Sequence, residues 1–163
     1  MKKAIYSGSF DPIHNGHIEV INRGLSLFDE VVVVIGDNSS KKGFLTIDEK
    51  KDLINKIFES QPKVKIVSFD GLIVDLCHEM EIGFMIRGLR STVDFQTEYV
   101  MTEANKGINP DVETVFFISS SAFQICSSSL VREIYKFRAD YKPYVPEDVV
   151  KFLDKKQLQE GIL

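Results

Sequence analysis

Val31-Val32-Val33-Val34-Ile35 is an unbroken β-branched run. Branched side chains are stiff and favour strands. A strand apolar at every position, rather than every second one, is buried on both faces, as in the middle of a parallel sheet. Helices must cover those faces, which confines the chain to α/β layering. The flanking sequence alternates accordingly. Ala4-Ile5-Tyr6 reads as a first strand, and Ile18, Ile21, Leu25 and Phe28 as one helix face. Thr46-Ile47-Asp48-Glu49 has the form of a capping box, continued by Leu53, Ile54, Ile57 and Phe58. Val64 to Phe69 predicts a third strand, Leu72 to Met80 a short helix, and Phe84-Met85-Ile86 a fourth strand. Val93 to Lys106 predicts a helix stopped by Gly107. Val115 to Ile118 predicts a fifth strand, and Ser129 to Phe137 and Glu147 to Lys155 the last helices, the second entered through Pro146. The expected fold is a doubly wound five-stranded parallel sheet, Rossmann-like, in a single domain over 1–163, with C-terminal helices from about 129 onward.

A chain of 163 residues suits one domain. Its formal net charge of -4 argues against a nucleic-acid partner bound through bulk positive charge. No apolar stretch is long enough for a bilayer, and the run after Lys2-Lys3 is too short for a signal peptide. A cytoplasmic location without a membrane partner is the expectation. Cys77 and Cys126 stand in no C-x-x-C pattern and are expected as buried free thiols.

The segment Gly8 to His17, GSFDPIHNGH, lies where the first strand hands over to the first helix. Open α/β sheets bind ligands outside the carboxyl ends of their strands, and a helix N-terminus there favours phosphate. Neither a P-loop nor a G-x-G-x-x-G fingerprint is present. Instead the turn offers the hydroxyl of Ser9, two histidines, His14 and His17, and Gly16, where a ligand can approach the backbone. The histidine pair could also share a helix face or bind a metal, although zinc usually has at least three protein ligands. Asp11 fits a turn or an N-cap. Arg87-Gly88-Leu89-Arg90 follows the fourth strand; its arginines suit bidentate phosphate contacts, or a solvated turn paired with Asp94 or Glu98. Ser127-Ser128-Ser129 follows the fifth strand and must supply one N-cap. Lys41-Lys42 follows the second. These clusters share one sheet edge, and the positive potential they concentrate points to a polyphosphate ligand.

GSFDPIHNGH resembles the signature of the nucleotidyltransferase superfamily with an H-x-G-H motif. Ser127-Ser128-Ser129-Leu130-Val131-Arg132-Glu133 is similar to its second motif, I-S-S-S-x-V-R-E. Ile86 to Arg90, Asp94-Phe95, Ser40 to Lys42 and the length match the bacterial branch that adenylylates 4'-phosphopantetheine. The resemblance implies transfer of the adenylyl group of ATP to 4'-phosphopantetheine, giving dephospho-CoA and pyrophosphate in coenzyme A synthesis. Ser9, His17, Lys41 and Arg90 would be the catalytic set. ATP would be held by Ser9, Phe10, His17, Gly88, Leu89, Arg90 and Glu98, and by the wrapping segment Phe123, Gln124, Ile125, Cys126, Ser127, Ser128 and Ser129. The second substrate would be held by Ser9, Lys41, Ile73 and Arg87. Magnesium with ATP, feedback inhibition by coenzyme A and a homohexamer are also implied. Ser9 replaces the usual threonine, Thr97 the usual tyrosine before the glutamate, and Cys126 the usual isoleucine. Nicotinate mononucleotide adenylyltransferases and small cytidylyltransferases end in a different serine motif. A non-catalytic nucleotide-binding regulator would not need His17 or Arg90, and a flavodoxin-like signalling domain leaves both histidines unexplained.

Overall fold

The chain alternates strand and helix from its first turn to its fifth strand. The structure, a computed structural model, describes residues 1–37, 43–159 and 161. The strands are β1 (Lys3–Gly8), β2 (Glu30–Gly36), β3 (Val64–Phe69), β4 (Phe84–Leu89) and β5 (Glu113–Ile118). The helices are α1 (Asn15–Gly24), α2 (Ile47–Ile57), α3 (Ile73–Glu79), α4 (Thr92–Ile108), α5 (Ser128–Lys136) and α6 (Glu147–Gln159). All strand pairs are parallel, in the order β3-β2-β1-β4-β5.

The β-branched run sits as its composition demands. Val31, Val33 and Ile35 join Ala4 and Tyr6 in one core, beneath Val20 and Ile21 of α1, Leu53 and Ile54 of α2, Val131 of α5 and Val149 and Leu153 of α6. Val32 and Val34 point the other way and pack with Ile5, Val74, Leu76, Cys77 and Met85. The period-2 alternation of strand side chains divides one sequence run between two cores. Both cysteines are buried and free. The capping box forms: the Glu49 N–H donates to the Thr46 hydroxyl at 3.2 Å, and the Thr46 N–H to the Glu49 carboxylate at 2.7 Å.

Two local expectations are corrected. Arg87, Gly88 and Leu89 are not a turn after the fourth strand; they continue it, paired with Phe116, Phe117 and Ile118 of β5. Ladder hydrogen bonds to β5 offset the weak strand preference of glycine. Gly107 does not stop α4, which runs to Ile108 and is capped by Asn109. The helix thereby accepts the glycine's modest cost in its last turn.

The strand order creates the site. From β1 the chain winds outward through β2 to β3, then returns to place β4 on the other side of β1. The reversal leaves a crevice at the carboxyl ends of β1 and β4, the topological switch point of a doubly wound sheet.

Candidate active site

A cleft of about 250 Å³ opens at that switch point. Tyr6, Ser7 and Gly8 of β1 and Arg87 and Gly88 of β4 form its floor, and His14, Gly16, His17 and Val20 one wall. Arg90, Glu98, Ser119, Ser127 and Ser128 complete it. Gly16 keeps the helix start open: a Cβ there would lie 3.1 Å from the His14 ring.

His14 is the N-cap of α1, and its backbone N–H donates to Nδ1 of His17 at 3.2 Å. The two rings stack with centroids 3.6 Å apart. Burial, with the nearby Arg90 guanidinium, lowers the His14 imidazole to about 4. Burial, then His14 and Arg90, holds His17 well below the usual histidine range. Both rings are therefore neutral near pH 7. An Nδ1 that accepts a backbone N–H leaves the proton of His17 on Nε2. His17 is thus a fixed, uncharged donor on the cleft wall, suited to charge that grows on a phosphoryl oxygen.

The arginines are paired, which modifies the expectation of an excess of positive potential. Arg87 Nε lies 3.3 Å from a Glu98 oxygen, and its Nη1 donates to the Ser7 carbonyl at 2.7 Å. Arg90 forms a fork with Asp94, Nε to Oδ2 at 2.9 Å and Nη2 to Oδ1 at 3.2 Å, and its Nη1 donates to the Cys126 carbonyl at 3.1 Å. Hydrogen bonds from Arg90 hold the Asp94 carboxyl below its usual range against the raising effect of partial burial. The salt bridges foreseen for a solvated turn thus exist within the cleft. They hold the guanidinium planes in place, while unused N–H groups on the terminal nitrogens keep capacity for a ligand. Ser127 caps α5 by accepting from the Leu130 N–H at 3.1 Å, and the Ser128 hydroxyl donates to the Pro12 carbonyl at 2.9 Å.

Residues 5–134 match the cytidylyltransferase-like family. The chain is 40% identical over 156 residues to the phosphopantetheine adenylyltransferase of Clostridium tetani, spanning 96% of this chain and 98% of that protein. It is 41% identical over 156 residues to that of Dictyoglomus turgidum, with 96% and 98% covered. Against that of Flavobacterium johnsoniae it is 39% identical over 149 residues, with 91% and 97% covered. The chain belongs to the phosphopantetheine adenylyltransferase family.

Of the residues that resemblance to this family implied, the structure brings His17, Arg87, Gly88, Arg90, Glu98, Ser127 and Ser128 into one cleft. It does not bring all of them. Ser9 is exposed beside the cleft. Phe10 and Leu89 are buried, and Ile73 lies at the start of α3. Phe123 lines a separate groove with Asn15, Ile18 and Arg23 of α1, while Gln124 and Ile125 are exposed. Cys126 is buried and reaches the site through its carbonyl; the Ser129 hydroxyl accepts from Arg132 at 3.1 Å. Lys41 lies outside the described residues.

Tyr6, Ser7, Val20 and Ser119 line the cleft without having been singled out from sequence, as does Gly8, which in sequence marks only the start of the H-x-G-H segment. Ser119 directly follows β5, so the rule that pointed to Arg87 and Ser127 also covered it. Tyr6 and Gly8 share a strand face by alternation, but only the strand order shows that β4 lies beside β1 at that end of the sheet.

Proposed function

We propose that the chain joins ATP to 4'-phosphopantetheine in this cleft, with His17 as the donor to the transition state. A phosphate oxygen of 4'-phosphopantetheine attacks the α-phosphorus of ATP. The new P–O bond forms as the bond from the α-phosphorus to the bridging oxygen of pyrophosphate breaks, giving dephospho-CoA. Nothing in this step needs a covalent enzyme intermediate, so the protein contributes positioning and fixed dipoles. The observation that carries the reading is the neutral His17 with Nδ1 occupied, beside two preset guanidinium groups and the first turn of α1.

The roles are those the family resemblance implies, and the shared cleft supports them for His17, Arg87, Gly88, Arg90, Glu98, Ser127 and Ser128. The Nε2–H of His17 would donate to a non-bridging oxygen of the α-phosphate. Arg90 and Ser127 to Ser129 would hold the outer phosphates, with Gly88, Leu89, Glu98, Phe10 and the segment Phe123 to Cys126 around the nucleotide. Arg87, with Ser9, Lys41 and Ile73, would hold 4'-phosphopantetheine. Magnesium would enter as part of the ATP complex, because the phosphates themselves supply ligands for it. Among the described residues no three or more His, Cys, Asp or Glu side chains are grouped to hold a metal ion. Coenzyme A carries the same phosphopantetheine arm, so feedback by competition fits this reading. A homohexamer is what the family resemblance implies, and a subunit contact would cover α4, which has no buried residue and exposes Val93, Phe95, Tyr99, Val100 and Met101. We place the enzyme in the cytoplasm; among the described residues no helix is long and apolar enough to cross a membrane.

The test is pyrophosphate release from ATP and magnesium with 4'-phosphopantetheine, with nicotinate mononucleotide, and without acceptor. Release with 4'-phosphopantetheine alone is the expected result. Release with nicotinate mononucleotide alone would keep the chemistry and discard the acceptor.

A further inference from the structure

The side chain of Lys50 is 6% exposed, although it carries a charge and lies on α2, outside the cleft lining. Its Nζ lies 3.6 Å from Oδ1 of Asp11. The same carboxylate accepts the backbone N–H groups of Phe44 at 2.9 Å and Leu45 at 2.8 Å. Gly43 closes over the pair: a Cβ there would meet Asp11 Oδ2 at 3.3 Å and Lys50 Nζ at 3.4 Å. From the other side, Arg132 of α5 donates to the Asp11 carbonyl at 2.7 Å. Stability alone does not explain a buried ion pair, because apolar residues of similar volume serve that purpose as well or better.

The neighbour of Asp11 supplies a reason. Phe10 has a φ of 45°, in the left-handed region, which is strained for a bulky residue and persists only where its surroundings hold it. Its ring is 1% exposed and meets His17 edge-on, with centroids 4.8 Å apart. The chain from Phe10 to His17 is thus held at Asp11 and packs directly against the imidazole.

We propose that Lys50, acting through Asp11, is a positioning residue for adenylyl transfer. The pair holds Phe10 in its left-handed conformation against His17 and so sets where the Nε2–H donor points. This rests on the adenylyl-transfer reading above.

The experiment compares wild type, His17→Ala, Lys50→Met and the double variant for pyrophosphate release, together with ring-nitrogen NMR of the histidines. Lys50→Met is expected to lower kcat by ~10–100-fold, the scale of a displaced catalytic group, with KM for ATP changed by ~2-fold or less. Lys50→Arg, which keeps the charge, is expected to recover kcat to within ~3-fold of wild type. Adding Lys50→Met to His17→Ala should cost nothing further, since one residue acts through the other. The His17 ring signals should move in Lys50→Met, while those of exposed His78 stay in place. An unchanged kcat, or full additivity with His17→Ala, overturns the proposal. Should Lys50→Met fail to fold, Lys50→Gln, which also removes the charge, carries the same cycle and the same spectra. An inactive wild type would defeat the adenylyl-transfer reading alone; the His17 signals would then decide, and unmoved signals in folded Lys50→Met or Lys50→Gln overturn the positioning role.

Discussion

The backbone N–H of His14 donates to Nδ1 of His17 across 3.2 Å, so the N-cap of α1 chooses the tautomer of the residue three places on. The proton on Nε2 is the one that can reach a ligand. His17→Ala removes that donor and leaves the helix intact. We expect kcat to fall by ~10²–10³-fold, the usual loss of one transition-state donor. Circular dichroism should be unchanged. Wild-type turnover in the folded variant would remove His17 from the mechanism.

Neutral histidines have a consequence for acid stability. The ordinary value of 6.5 is lowered to about 4 in His14, and His17 is also well below 6.5. On acidification the unfolded chain takes up these protons before the folded one does. The stability linked to the neutral rings is complete above pH 6.5 and is lost as pH falls toward 4. Thermal melts between pH 7.5 and 4 should show Tm falling with pH in wild type, and falling less steeply in His14→Ala. For the same reason His17 does not titrate near neutrality. Any acid limb of kcat between pH 6 and 7 should persist in His17→Ala, and its disappearance would contradict the neutral assignment.

Arg90 combines a fork to Asp94 with a bond to the Cys126 carbonyl, a geometry that lysine cannot copy. Arg90→Lys is expected to raise KM for ATP by ~10-fold, equivalent to about 1.5 kcal/mol for a lost charged hydrogen bond. The arginine side chain is 39% exposed, so the accompanying loss of stability should stay under about 1 kcal/mol. Isothermal titration with ATP and a thermal melt separate the two effects.

Two glycines should respond to alanine with opposite signs. A Cβ on Gly88 would lie 2.9 Å from Cγ2 of Val20, where β4 meets α1. Gly88→Ala should cost about 1–3 kcal/mol through overpacking and lower Tm by several degrees. A Cβ on Gly107 meets nothing within 4 Å, and the residue is helical. Gly107→Ala should stabilise by about 0.5–1 kcal/mol, which raises Tm slightly. Calorimetry on both variants checks the pair.

The sequence by itself determined what depends on near neighbours along the chain. The run Val31 to Ile35 demanded cover on both faces; Thr46 to Glu49 wrote its own capping box; the H-x-G-H turn and the three serines announced helix starts after strands. Each is an interaction over a few residues, so local composition suffices to specify it. Tertiary structure decided which strand ends become neighbours. Placing β4 beside β1 makes Tyr6 and Ser7 line the same cleft as Arg87, and brings Ser119 to it from β5. It also decided which charges are spent. The arginines engage Asp94 and Glu98 on α4, which the sequence had offered as partners, but contacts such as Lys50 to Asp11, across 39 positions, it did not offer. No periodicity reports such pairings, because they depend on the distance between side chains after the sheet has closed and water has left the core. The same spatial dependence makes His17 a neutral donor: its residue type is read from one letter, but its charge is set by burial and by what lies around it.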